Sequence, residues 1–453
     1  MQVGNVQKLI SIFKQSFHQL GVTVSLDKLE TLSVTIHRAM TTQARHFHTL
    51  EHVFNFVDPE NAILSLAALY HDIVYYQVDM GFSPHVWELI SPYIRRENDI
   101  FFVVENIPAV DRQFFMTLDI FELVPGQQLT SLTAMNEFLS ALVMQKQLSE
   151  LISEKDLALM TLCIEATIPF RGFFADGRNH FDYLEQRLPS VFERYGLAIS
   201  SEDLIEGIKT AVVFANKDIE NFAEGDPGVF LDSTWKLLPE TNAALRLPDV
   251  YSIGAYRHAL LNMKVFFDNL NPDTVFCQYR GVPVQELFEQ MSQIAHDNVR
   301  IASQYLGIKI LGTTILEALA LCTGGDAPLS LFLGDIPREG VTIKRLEYFL
   351  PELDDPSWVE HNSIIYQLLE SGRASDVSFD MKNSPLSLFV YKSVPPDTLA
   401  SYLKLAQSFF DGQISPEGYL KSLDTTMVHA IARASSVMVY TRRQVLLNYA
   451  GEG

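Results

Sequence analysis

From one end of the chain to the other, apolar side chains recur at helical spacing, and that pattern confines the protein to an all-α or nearly all-α fold. Residues 61–76 (NAILSLAALYHDIVYY) predict an apolar helix interrupted by His71 and Asp72. Residues 154–168 (EKDLALMTLCIEATI) predict another, stopped by Pro169. Residues 201–223 carry an apolar stripe with Ser201 as N-cap. Strand signals are sparse, and VFFDNLNPDTVFCQYRGVP reads as loop, with Pro272 and Pro283 as breakers. An apolar share of 47%, including 30 Phe and 17 Tyr, is enough for a large core and excludes global disorder. The 453 residues allow two or three domains, and no internal repeat divides them. A boundary is expected after the helix holding AHDNVRIASQYLG. It separates a catalytic region, 1–306, from a helical accessory region, 307–453.

Charge narrows the range of partners. The chain has 34 basic and 55 acidic residues, a net charge of −21. Such a surface repels nucleic-acid backbones and anionic membranes, so non-specific binding to either is not expected. A small anionic substrate is still compatible with one locally positive pocket. Cys163, Cys277 and Cys322 are far apart and form no CxxC pair, which gives neither a disulfide framework nor a structural zinc site. No uninterrupted apolar run reaches the ~20 residues of a membrane span. The expectation is a cytoplasmic protein, with homo-oligomerisation open. The TGGD around Gly324 lacks a following Lys-Ser/Thr and is no phosphate loop.

Chemistry concentrates in one place. Of 12 histidines, His46, His48, His52 and His71 fall close together. His48 and His52 are four apart, which on a helix puts both on one face. His71 is followed by Asp72 within an apolar run, where a carboxylate is costly unless a cation compensates it. Neutral imidazoles plus carboxylates suit a divalent transition metal. One His from a first helix and the His–Asp pair from a second supply three ligands.

RHFHTLEHV followed by ALYHDIVY resembles the HD-domain metal-dependent phosphohydrolase superfamily. Its H-x-x-x-H spacing is similar to that of the cyclic-nucleotide phosphodiesterase branch. The resemblance implies an HD-like helical bundle, here with inserted helices and a helical C-terminal extension. It implies His48 as general acid and His52, His71 and Asp72 as metal ligands. The family's distant fourth ligand, an Asp on a later helix, matches Asp218 in VVFANKDIENF best, with Asp119 second. Arg45, Lys217 and Arg246 are the candidate substrate-binding cations. Glu165 and Arg171 read equally as a structural pair.

The function expected from this resemblance is hydrolysis of a small phosphoester, nucleotide or cyclic nucleotide, by attack of metal-bound water. The cofactor is a divalent ion (Mn, Mg, Zn, Fe or Ni) in one strong site, with a weaker second site through Asp72. Two alternatives stand beside it. One is a metal- or nucleotide-binding regulatory protein without turnover. The other is an HD-type di-iron oxygenase, for which His85 and His180 are the only further histidines between Asp72 and Asp218.

Overall fold

The computed structural model describes residues 4–107, 111–130, 134–247, 250–337 and 343–452. Among the described residues the fold is all-α apart from one small sheet. Helices of the first part are α1 (Asn5–Gln19), α2 (Leu26–Met40), α3 (Leu50–Phe56), α4 (Ala62–Tyr70), α5 (Tyr76–Asp79), α6 (Pro84–Ile90), α7 (Arg112–Phe121), α8 (Met135–Leu148), α9 (Glu154–Ala166), α10 (His180–Arg194) and α11 (Ser201–Asp218). Helix α4 is the centre of this part. It is apolar on every side and buried from Leu64 to Tyr70, as a helix with no polar face must be. It packs against α1, α3, α8, α9 and α11.

The sheet was not visible in the sequence. Strand β1 (Ile94–Glu97) pairs antiparallel with β2 (Ile100–Val103), and β2 pairs with β3 (Gln128–Leu129). Asn98 and Asp99, both at positive φ (49° and 65°), close the first hairpin. A two-residue turn with both φ positive matches the twist of paired strands, and Asn and Asp tolerate it better than most residues.

The chain divides into two compact units. One comprises 1–223 with 271–295, and the other 224–270 with 296–453. This corrects the single cut at 306/307, which falls inside α14 (Gln285–Thr323), a helix of 39 residues. That helix is long and apolar enough to cross a membrane by length and composition, and 83% of its most apolar window is buried. Its apolar character comes from its place in the core, and the same character hid the boundary. In the second unit α12 (Pro227–Thr241) and α13 (Ile253–Asn269) precede α14. Lys309 Nζ on α14 binds Asp380 Oδ2 at 2.8 Å, Trp235 Nε1 donates to the same oxygen at 2.7 Å, and the Arg373 guanidinium stacks 4.3 Å from the Trp235 ring.

A chain ending at Leu306 would keep Trp235 but lose Lys309, Arg373 and Asp380, leaving α12 and α13 without their core. It is expected to lack a cooperative transition for the second unit or to aggregate, as judged by circular dichroism and gel filtration. A soluble, fully cooperative 1–306 fragment would contradict this division.

Candidate metal centre

Three elements of the first unit bring four side chains together. Helix α4 ends at Tyr70, and His71 is its C-cap, with its N–H bonded to the Ala67 carbonyl at 2.9 Å. The His–Asp pair therefore sits where the central helix stops, not within a helix running to residue 76. The last carbonyls of a helix lack intrahelical partners. The His71 ring satisfies one of them, with Nδ1–H donating to Ala68 O at 2.8 Å. That bond fixes the tautomer of the neutral ring and turns Nε2 toward the acids, the arrangement found in metal-ligating histidines.

His52 comes from α3. Asp218 is the last residue of α11, whose N-cap is Ser200 rather than Ser201, in a capping box with Asp203. His48 lies before α3, whose N-cap is Thr49, so His48 and His52 do not share a helix face. Their rings still meet at 5.7 Å. Phe56 packs on both His52 and His71 (4.7 and 5.0 Å), and Phe214 of α11 on His71 (5.5 Å), which fixes the imidazole planes.

The distances define a small hollow lined by acceptors. His71 Nε2 lies 3.2 Å from Asp72 Oδ2 and 3.7 Å from Asp218 Oδ1. His52 Nε2 lies 3.3 Å from Asp218 Oδ1 and 3.8 Å from Asp72 Oδ2. One ligand atom from each of His52, His71 and Asp218 falls within 4.8 Å of the others. His71 Nε2 and Asp72 Oδ2 are buried with no hydrogen-bond partner. A buried ring nitrogen facing a buried carboxylate oxygen is costly unless a proton or a metal cation lies between them. His52, His71 and Asp218 fit a divalent transition metal in donor type and spacing, with Asp72 beside them. The side chains of His52, Asp72 and Asp218 stay 11%, 20% and 19% exposed, so one side of the hollow is accessible.

The charges follow this geometry. Burial opposes a charge on His71, but Asp72 and Asp218 outweigh it and raise its pKa well above the usual histidine value. Burial likewise opposes the Asp72 carboxylate, and His71, His48 and His52 hold it far below the ordinary range. Asp218 is lowered too, with burial opposed by the hydrogen bond to His52 and by the nearby His71 ring. A metal ion would take the place of the proton these acids draw onto His71.

Several expected roles are corrected. Arg45 is buried and its guanidinium is fully engaged. Nε and Nη2 hold Asp79 (3.0 and 2.7 Å), while Nη1 reaches the Asp72 carbonyl at 2.7 Å and Met40 Sδ at 2.8 Å. It braces the backbone of the site and offers no fork to a phosphate. Arg246 belongs to the second unit and donates to the Pro239 and Glu240 carbonyls at 2.9 and 3.0 Å, closing the end of α12. Asp119 is held by Arg194 (2.8 Å) and Tyr195 (2.6 Å) and takes no part in the cluster. Lys217 is half-buried beside Asp218. His46 is exposed. His85 pairs with Glu88 and His180 with Glu165, so neither adds a ligand.

Glu165 is buried and bonded to Arg171 Nη1 at 2.7 Å and His180 Nε2 at 2.9 Å. Burial would raise its pKa, but Arg171 and His180 together hold it far below the usual range. A depressed carboxylate pKa contributes stability that is complete above the unfolded value and is lost as pH falls toward the folded one. Glu165→Gln is therefore expected to cost about 3–5 kcal/mol at pH 7. The gap to wild type should narrow below about pH 4.3. Urea denaturation at pH 7 and pH 3 measures it. An equal gap at both would show that the ion pair is not the cause.

Two residues escaped the sequence reading. Glu137 on α8 is half-buried. Burial, with Asp72 and Asp218 adding to it and Arg171 opposing, leaves its carboxyl pushed up to about 7. Tyr75 sets its ring edge-on to His48 at 4.5 Å. The pair Asn136–Glu137 inside AMNEFLSAL was the available signal for Glu137. Tyr75 had none beyond its closeness to Asp72.

Comparison of the chain with protein-family models, curated proteins and solved structures gives no match. The reading of the site therefore rests on its own chemistry.

Proposed function

We propose that the first unit is a metal-dependent phosphohydrolase of the HD type, acting on a small phosphoester. The observation that carries this reading is the convergence of two imidazoles and two carboxylates, with His71 Nε2 3.2 Å from Asp72 Oδ2 and His52 and Asp218 beside them. A divalent ion bound there would supply Lewis acidity and lower the pKa of water at the site. His52, His71, Asp72 and Asp218 hold it, and the Ala68 carbonyl fixes the His71 ring. His48, next to but outside the four, hands a proton to the departing oxygen. Lys217 offsets phosphoryl charge. The edge of Tyr75 keeps the His48 ring in place.

The test is phosphate release from a panel of phosphomonoesters, nucleotides and cyclic nucleotides with Mn, Mg, Zn, Fe(II) or Ni. Activity should vanish with chelator and return with metal. In His48→Ala the rate is expected to fall by roughly 10²–10⁴ while metal stays bound. Loss of metal in that variant would make His48 a ligand. Bound metal with no turnover of any ester would favour the regulatory alternative.

A further inference from the structure

The first turn of α8 is fastened to the chain that directly follows Asp72. Ser140 Oγ accepts from the Val74 amide at 3.1 Å, Asn136 Oδ1 accepts from the Tyr76 amide at 3.2 Å, and Asn136 Nδ2 donates to Gln77 Oε1 at 2.9 Å. Asn136 and Ser140 are four apart and share one face of the helix. Glu137 stands three residues before Ser140, on the flank of that face. Helix α8 also packs against α4, whose end carries His71 and Asp72.

Glu137 is half-buried and, among the described residues, forms no ion pair and no hydrogen bond to another side chain. A glutamate in the first turn of a helix complements the helix dipole, and Glu137 bonds its own amide. Its surroundings nonetheless oppose its charge. Burial does so first, and Asp72 and Asp218, both close enough to act on it, add to burial against Arg171. A carboxyl set beside two other acids gains nothing for the fold when ionised. It is not one of the residues whose donor atoms come together within 4.8 Å, so it stands outside direct coordination.

We infer that Glu137 accepts the proton of the attacking water. The inference rests on the hydrolase reading above and supplies the base that this reading lacks. The water gives one proton to a Glu137 carboxylate oxygen while its own oxygen forms the new bond to phosphorus. The bond from phosphorus to the ester oxygen breaks, and that oxygen takes its proton from His48. An alcohol and phosphate result. Glu137 then releases its proton to solvent, and His48 recovers one. Acid and base come from separate elements, His48 from the segment before α3 and Glu137 from α8. A carboxyl pushed up to about 7 suits a base that works near neutral pH.

The test uses the full chain and the phosphoester that wild type turns over fastest. Glu137→Gln keeps the shape and removes the base. Its kcat is expected to fall by roughly 10²–10⁴. Its affinity for Mn²⁺ on calorimetric titration should change by less than about 10-fold, below what loss of a ligand or its support costs. Its thermal midpoint should not fall. In Glu137→Ala, added formate should restore part of the lost rate and leave wild type unaffected. A wild-type rate in Glu137→Gln overturns the inference while the hydrolase reading stands. So does loss of Mn²⁺ binding, which makes Glu137 a ligand, and so does unfolding of the glutamine variant, which makes it structural. No rescue by formate in a folded, metal-loaded Glu137→Ala also overturns it. Absence of turnover in wild type overturns the inference and the hydrolase reading together.

Discussion

Asp218→Ala is expected to weaken metal binding by well over about 10–100-fold, since even residues that only support a ligand have effects of that size. Phosphoester turnover should disappear with it. Asp218 reaches the cluster because α11 packs against α3 and α4 and ends at this residue. Its Oδ1 lies 3.3 Å from His52 Nε2 and 3.7 Å from His71 Nε2. The paired control is Asp119→Ala. That change breaks contacts to Arg194 and Tyr195 and should cost about 1–2 kcal/mol of stability, with metal binding intact. Metal titration and thermal unfolding of the two variants separate the effects. Metal loss in Asp119→Ala with none in Asp218→Ala would reverse the assignment.

The second large effect is predicted for a residue first read as a substrate contact. Arg45 is fully buried at its side chain, and Asp79 is 12% exposed. Removing one partner of such a pair strands the other, so Arg45→Ala is expected to cost about 3–5 kcal/mol. It also frees the Asp72 carbonyl, which Arg45 holds at 2.7 Å. Metal affinity should therefore fall in parallel with stability. Urea denaturation with and without metal measures both. A variant of unchanged stability with only a raised KM would return Arg45 to the substrate.

What the sequence made legible, and what it did not, has physical reasons. The helical class followed from periodicity that Phe- and Leu-rich stripes express strongly. Histidine is scarce, so the cluster from His46 to His71 stood out. Asp218 was reachable because an apolar run, TAVVFA, leads straight into it. The end of α4 was not legible, since DIVYY continues the apolar character although the helix stops at Tyr70. The sheet was missed because its strands have two to four residues, too short for alternation to register, and its turn uses Asn-Asp without glycine. The unit boundary was hidden because α14 is continuous in sequence and belongs to both units. Arg45 misled because closeness in sequence to a histidine cluster does not reveal direction. Its acid, Asp79, lies 34 residues away.

The central claim is that His52, His71, Asp72 and Asp218 form one metal site. The most direct measurement is calorimetric titration of chelator-stripped full-length protein with Mn²⁺ and Zn²⁺, alongside elemental analysis of the protein as purified. The account predicts one strongly bound ion per chain, lost in both His71→Ala and Asp72→Ala while circular dichroism shows the helices intact. No strong binding in the wild type, or full occupancy in either folded variant, would contradict it.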